Sequence, residues 1–145
     1  MFKINKKIEY ALIVLKHFDE LEFGEYSSAR QISDLYHTPF DSTSKVMQIM
    51  NNHGVLKSAQ GVGGGYLLAC ELSALPYLSL AQMIEGKSFE HNCNELKCNL
   101  IETCTISGPV TKLNDYLNSF FKNLTIKELL QDSPAQFIQK NIGHP

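Results

Sequence analysis

The feature that most constrains this chain is the run AQGVGGG at 59–65, set between two short strand-like runs, Val55–Ser58 and Tyr66–Ala69. Three consecutive glycines cannot pack side chains; they let the backbone turn tightly or approach another group closely. Between two strand-like runs they predict a hairpin with a glycine-rich tip. What precedes the hairpin decides what it belongs to. Ser28…Gln31 and Thr38…Asp41 carry a capping-box type of signature, in which a hydroxyl caps the helix and a residue three further on reaches back. Pro39 suits a first helical position. These signals predict helices over Ala29–Tyr36 and Pro39–Asn52, separated by a tight turn at His37 and Thr38, with Gly54 as a left-handed stop. Helix, tight turn, helix and hairpin is the order of a winged helix-turn-helix.

The flanking segments complete the expected architecture. A first helix is predicted over Lys6–Leu21, capped by Asn5, with Ile8, Leu12, Leu15 and Phe18 at helical spacing. Ser79…Gln82 opens a short helix over Leu80–Glu85 that Gly86 stops. Residues 87–108 read as polar and irregular. A long helix then starts near Pro109 with an apolar stripe of Val110, Leu113, Leu117, Phe120 or Phe121, and Leu124. Thr125…Glu128 opens a last helix, Ile126–Gln131. The fold class expected is mainly α with a small β-hairpin wing: a winged helix-turn-helix plus a long C-terminal dimerisation helix. The expected division is a DNA-binding domain at 1–86, a cysteine loop at 87–108, the dimerisation and C-terminal helices at 109–131, and a tail at 132–145. An apolar stripe on a long helix in so small a chain asks for a partner surface. The competing reading is that the stripe packs on its own core.

With 145 residues, 43% of them hydrophobic and 19% charged, the chain can bury a core without covalent staples. A net charge of −2 argues against a general nucleic-acid coat and leaves room for a small specific DNA binder with one positive face. No run approaches the roughly 18 apolar residues of a membrane span, and no secretion signal is recognisable. The expected compartment is the cytoplasm, where clustered cysteines stay reduced and read as metal or redox sites.

The second helix of the motif divides into two faces. Val46, Met47 and Met50 face a core, while Asp41, Ser44, Lys45 and Gln48 recur on the other side. Gln can contact adenine bidentately, and Lys can reach guanine or phosphate. Ser28, Thr38 and Ser42 join the candidate DNA contacts. So do Lys57, Gln60 and the amide of Gly63 on the wing, and Lys6 in the Lys-rich start of the first helix. A polar helix face can equally be a solvated surface, and winged helices also serve as protein-interaction modules. Between 27 and 69 the only basic residues are Arg30, Lys45 and Lys57, against Asp34 and Asp41, which predicts a shallow salt dependence of DNA binding. Nothing suggests an enzyme. No nucleophile–base set is recognisable, GVGGG lacks the Lys-Ser/Thr ending of a phosphate loop, and His17, His37 and His53 have no metal spacing.

Cys93, Cys98 and Cys104 are spaced C-x₄-C-x₅-C. Thiolates are the characteristic ligands of iron–sulfur clusters. A Cys₃His zinc site using His91 competes, although the short C-x₂-C knuckle common in zinc sites is missing. Inert or redox-active thiols are the third possibility. Cys70, in an apolar run, reads as a buried thiol.

The segments KINKKIEYAL, GVLKSAQGVGGGYLLA, LSLAQMIEG and LNSFFKNLTIKELL, together with the cysteine loop, resemble the Rrf-two family of regulators, the IscR/NsrR group, over about residues 3–130. The resemblance implies a DNA-binding transcriptional regulator of repressor type, a homodimer paired through the helix at about Pro109–Leu124, and a roughly palindromic operator. It matches Cys93, Cys98 and Cys104 to the family's ligands for an iron–sulfur cluster, two-iron or four-iron, that senses nitric oxide, redox state or iron–sulfur status. There are departures. Gln60 stands where related wings carry Arg, and Asn51, Asn52 and His53 stand where basic residues often end the recognition helix. Ser107 takes the place of the His that follows the third cysteine in the IscR type. In some NsrR-type proteins an Asp on helix 1 of the other subunit completes the site, and Glu9 occupies that position here. This leans towards an NsrR-like nitric-oxide sensor with Glu9 as fourth ligand and His91 as the rival. The alternative is a cluster-free regulator using the thiols for zinc or direct redox switching.

Overall fold

The structure, a computed structural model, describes residues 3–61, 63–87 and 98–131. Helix α1 (Lys6–Glu20) starts where Asn5 accepts a bond from the Lys7 amide at 2.9 Å. Its buried stripe is Ile8, Ala11, Val14, Leu15 and Phe18, with Leu12 only partly buried. Helix α2 (Ala29–Tyr36) opens on a complete capping box. The Gln31 amide donates to Ser28 Oγ at 3.1 Å, and the Ser28 amide donates to Gln31 Oε1 at 2.8 Å. His37, in the left-handed region at φ 54°, ends α2 and makes the tight turn.

Helix α3 (Phe40–Asn52) begins one residue later than expected, and the Thr38…Asp41 box does not form. The Thr38 amide is already committed to the Ser33 carbonyl at 3.1 Å, so it cannot receive a reaching Asp41. The Thr38 hydroxyl instead lies 2.7 Å from Thr43 Oγ1, which donates to the Pro39 carbonyl at 2.9 Å. The far end closes as a Schellman motif. The Val55 amide reaches the Met50 carbonyl, the Gly54 amide reaches that of Asn51, and Gly54 has φ 75°.

Strands β1 (Leu56–Ala59) and β2 (Gly65–Leu68) pair antiparallel, Leu56 opposite Leu68 and Ala59 opposite Gly65. Each is offset by one residue from its sequence estimate. Ser27 adds a third short rung by exchanging two 2.9 Å backbone bonds with Tyr66. That approach is what requires glycine at 65, where a Cβ would sit 2.7 Å from the Ser27 carbonyl carbon and oxygen.

A 3₁₀ turn (Leu72–Ala74) leads into helix α4 (Tyr77–Glu85), which starts three residues before Leu80, so Ser79 lies inside the helix rather than capping it. The start is set from a distance: Pro76 bridges to Thr125, and the Tyr77 amide donates to the Leu124 carbonyl at 2.7 Å. Tyr77, Leu80, Ala81 and Ile84 are buried, and Gly86 ends the helix with φ 66°. Helix α5 (Ser107–Asn123) starts two residues before Pro109. Pro109 is tolerated there because first-turn amides have no intrahelical partner. Helix α6 (Ile126–Gln131) opens on the expected Thr125–Glu128 box, and Lys127 ties it to Asp19 of α1 at 2.6 Å.

The core lies where α1, α3 and α4 meet, closed by Leu56, Leu72, Leu75, Leu124 and Ile126. No α5 residue is buried. The expected stripe splits: Leu124 is buried and Phe120 and Phe121 pack against the core, with Phe121 5.1 Å from the Tyr77 ring, whereas Val110 and Leu113 are exposed, as is the neighbouring Tyr116.

Candidate nucleic-acid interface and thiol loop

The face of α3 opposite its buried Thr43, Val46, Met47 and Met50 carries Asp41, Lys45 and Gln48, all exposed, with Ser42 and Ser44 partly so. Such a helix has one side anchored and a row of donors and acceptors held on the other, which is what major-groove readout needs. Asn51 has a positioning role that the sequence did not reveal: its Oδ1 accepts from the Ser58 amide at 2.9 Å, tying β1 to the end of α3. The wing side chains Lys57 and Gln60 and the backbone of Gly63 are exposed beyond that tie.

Not every candidate is equally available. Ser28 spends its hydroxyl on the α2 cap, and Thr38 spends its hydroxyl on Thr43, so both hold helices in place. Lys6 is exposed but paired with Glu9 at 2.6 Å, and that hydrogen bond and charge hold its ammonium pKa above the ordinary value.

Behind the reading face, His17 joins three segments. Its Nδ1 lies 3.0 Å from the Tyr36 hydroxyl of α2 and its Nε2 lies 2.8 Å from Oγ of Ser27. Ser27 is itself paired with the wing, so α1, α2 and β2 share one polar junction. Burial pushes the His17 pKa down, partly opposed by the Glu20 charge.

A further pair at the interface escaped the sequence reading. The Arg30 guanidinium of α2 lies 3.9 Å from the centroid of the Phe40 ring at the start of α3. The only signal in the sequence was an Arg near one helix start and an aromatic at the next.

Of the three spaced cysteines, Cys98 and Cys104 are described, both unbridged; Cys98 is exposed and Cys104 partly buried. Cys93 and His91 lie outside the described residues. Two successive turns, Ile101 amide to Cys98 carbonyl and Thr103 amide to Leu100 carbonyl, fold the backbone between the two thiols. Cys104 then stands just before Ile106, the residue that leads into α5. Among the described residues no three His, Cys, Asp or Glu side chains converge on a metal-sized site. Glu9 is partly exposed on α1 and engaged by Lys6. As a donor set, two unbridged thiols flanking a pair of turns suit a soft metal or cluster. Cys70 does not suit one, because burial and then Glu71 push its thiol pKa up and favour the protonated form.

The family described as "Rrf2: Iron-dependent Transcriptional regulator" matches residues 4–132. A curated HTH-type transcriptional regulator from Aquifex aeolicus is 26% identical over 130 residues, 85% of this chain and 88% of that protein. Among solved structures, CymR, the global cysteine regulator of B. subtilis, superposes with a TM-score of 0.71 at 19% identity, covering 90% of this chain and 97% of that one. IscR from T. potens does so with a TM-score of 0.65 at 21% identity, covering 93% and 91%. The mainly α, winged-helix architecture is shared by both.

Proposed function

Because the chain belongs to the Rrf2 family of transcriptional regulators, we propose that it reads operator DNA as a homodimer through α3 and the wing, under the control of an iron–sulfur cluster held by Cys93, Cys98 and Cys104. The family and the relatives are transcriptional regulators, not enzymes. The observation that carries the sensor reading is the position of the thiols. Cys98 and Cys104 are unbridged, flank two successive turns, and lead into a helix that leaves several of its apolar residues exposed. We place the protein in the cytoplasm, where thiols remain available as ligands. Among the described residues no helix is long and apolar enough to cross a membrane.

The residues divide the work. Lys45 and Gln48 read bases, while Lys57, Gln60, the Gly63 amide and Lys6 hold phosphate; Asp41, Ser42 and Ser44 refine the choice of base. Cys93, Cys98 and Cys104 supply the thiols, with Glu9 of the second subunit as the fourth donor once released from Lys6. When bound, a cluster supplies a centre that reacts with nitric oxide or oxidants. The chain's own part is mechanical. Cys104 is separated from α5 by only Thr105 and Ile106, α5 packs on α4 through Phe121 and Tyr77, and α4 packs on α3. Rearranged thiols therefore alter how α5 pairs, and with it the spacing of two recognition helices.

Anaerobic purification tests this directly. The expected protein is brown, contains iron and sulfide, and changes operator affinity when the cluster is removed. Equal affinities of holo and apo protein on a verified operator would overturn the sensor while leaving the DNA reader standing. A colourless protein with stoichiometric zinc, or one whose DNA affinity follows thiol oxidation alone, selects the second reading. The likeness to a structure named as a cysteine regulator keeps that reading in play.

A further inference from the structure

Phe40 places an aromatic ring at the very start of α3 with part of it open to solvent. It is the first residue of α3 and 36% exposed, while α3 anchors itself through Thr43, Val46, Met47 and Met50. Arg30, exposed on α2, covers part of the ring, with its guanidinium carbon 3.9 Å from the ring centroid. A guanidinium at that distance is held by the ring's negative face, and its N–H rim stays open to an anion. The pair thus links the starts of the two helices of the motif. In a helix-turn-helix those starts face the duplex: the first residues of the recognition helix reach base edges, and the preceding helix crosses the phosphate backbone.

Chemistry narrows what such a ring could meet. Among the groups that base pairs present in the major groove, the thymine 5-methyl is the apolar one, and a Phe side chain is a suitable partner for it. Asp41, Ser44, Lys45 and Gln48 supply only polar partners, and among the exposed residues of α3 Phe40 is the apolar one that can distinguish thymine by its methyl. Resting on the DNA-reading function above, we propose that Phe40, held in place by Arg30, is a specificity-determining residue that selects thymine in the operator, and that Arg30 contacts the adjoining phosphate.

The test uses the full-length chain and duplexes that it enriches from a random-sequence pool. Each thymine is replaced in turn by deoxyuridine, which lacks only the 5-methyl. At one or two positions per half-site the wild-type chain should lose about fourfold in affinity, the worth of one buried methyl. Phe40→Ala should bind the thymine duplex weaker by a similar factor and be indifferent to those same replacements. Phe40→Leu, which keeps an apolar side chain and an intact helix start, should retain part of the thymine preference. Arg30→Gln should weaken binding to all duplexes and lower the logarithmic salt slope by about one. Deoxyuridine losses that are identical in wild type and Phe40→Ala, or absent at every position, overturn the proposal alone. A wild-type chain that enriches no duplex overturns the DNA-reading function with it, so the two failures are distinguishable.

Discussion

Helices α3 and α5 are both amphipathic, yet among the described residues only one has its apolar face covered. Over 13 residues α3 buries four, and a Schellman motif closes its end against the wing. Over 17 residues α5 buries none, no side chain caps its start, and Val110, Leu113 and Tyr116 remain exposed. Beside α5, the start of α1 and the helix α4 form a groove of about 200 Å³ that includes Ile4, Ile8, Leu78 and Leu117. The polar face of α3 that is proposed to read DNA is therefore preformed. Among the described residues nothing covers the exposed apolar part of α5, and so loosely held a helix suits the proposed role of an element whose placement has to be adjustable.

The sharpest way to break that contrast is to remove apolar bulk from each helix. Met47 is fully buried, so Met47→Ala should cost about 2–5 kcal/mol of stability, a large part of what a small domain possesses. Leu113 is 57% exposed, so Leu113→Ala should change monomer stability by less than about 0.5 kcal/mol. It should instead weaken self-association. Urea titrations at low and high protein concentration separate the two effects. Equal losses for both variants, independent of concentration, would mean that the exposed part of α5 serves the monomer after all.

A smaller effect sharpens the same contrast at the helix starts. Ser28→Ala removes the reciprocal cap of α2 and should cost about 1 kcal/mol, with Ser28→Gly costing only a few tenths. Helix α5 has no such bond to lose, since Ile106 precedes it at ψ 3° with no capping side chain. Ile106→Ala should thus leave the helix start unaffected in denaturation experiments. A loss at Ile106 as large as that at Ser28 would show α5 to be anchored as firmly as α2.

The same division governs what could be read from sequence. Local chemistry located Asn5, the Ser28–Gln31 and Thr125–Glu128 boxes and the Gly54 stop, because each signal acts within one turn of its own helix. It failed wherever a distant segment decides. The start of α4 follows the pairing of Pro76 with Thr125 rather than Ser79; at Thr38 the competition is local, its amide being taken by the carbonyl of Ser33 at the end of α2. The apolar character of α5 was legible, but not that Phe120 and Phe121 turn to the core while Leu113 does not. In the candidate interface the polar row on α3 followed from its period. The stacking of Arg30 on Phe40 depends on the angle between two helices, which no local pattern encodes. The thiol spacing was plain in the sequence, but not the two turns that fold the backbone between Cys98 and Cys104.

The smallest effect probes the junction that integrates the reader. Burial holds the His17 pKa below its ordinary value of 6.5. Above that value the ring is neutral in both folded and unfolded chains. Between the lowered folded value and 6.5, the unfolded chain takes up a proton that the folded one refuses, so stability falls as pH drops through that interval. Because the ring joins Tyr36 to Ser27, the loosening should appear first where α1, α2 and the wing meet. Amide exchange measured from neutral to mildly acidic pH, corrected for its intrinsic rate, should then speed up in α2 and at Ser27 but not in α5. His17→Gln, which retains one donor and one acceptor but does not titrate, should flatten that response. Parallel pH profiles for the two proteins would take His17 out of the account and leave the reader's cohesion to its apolar core alone.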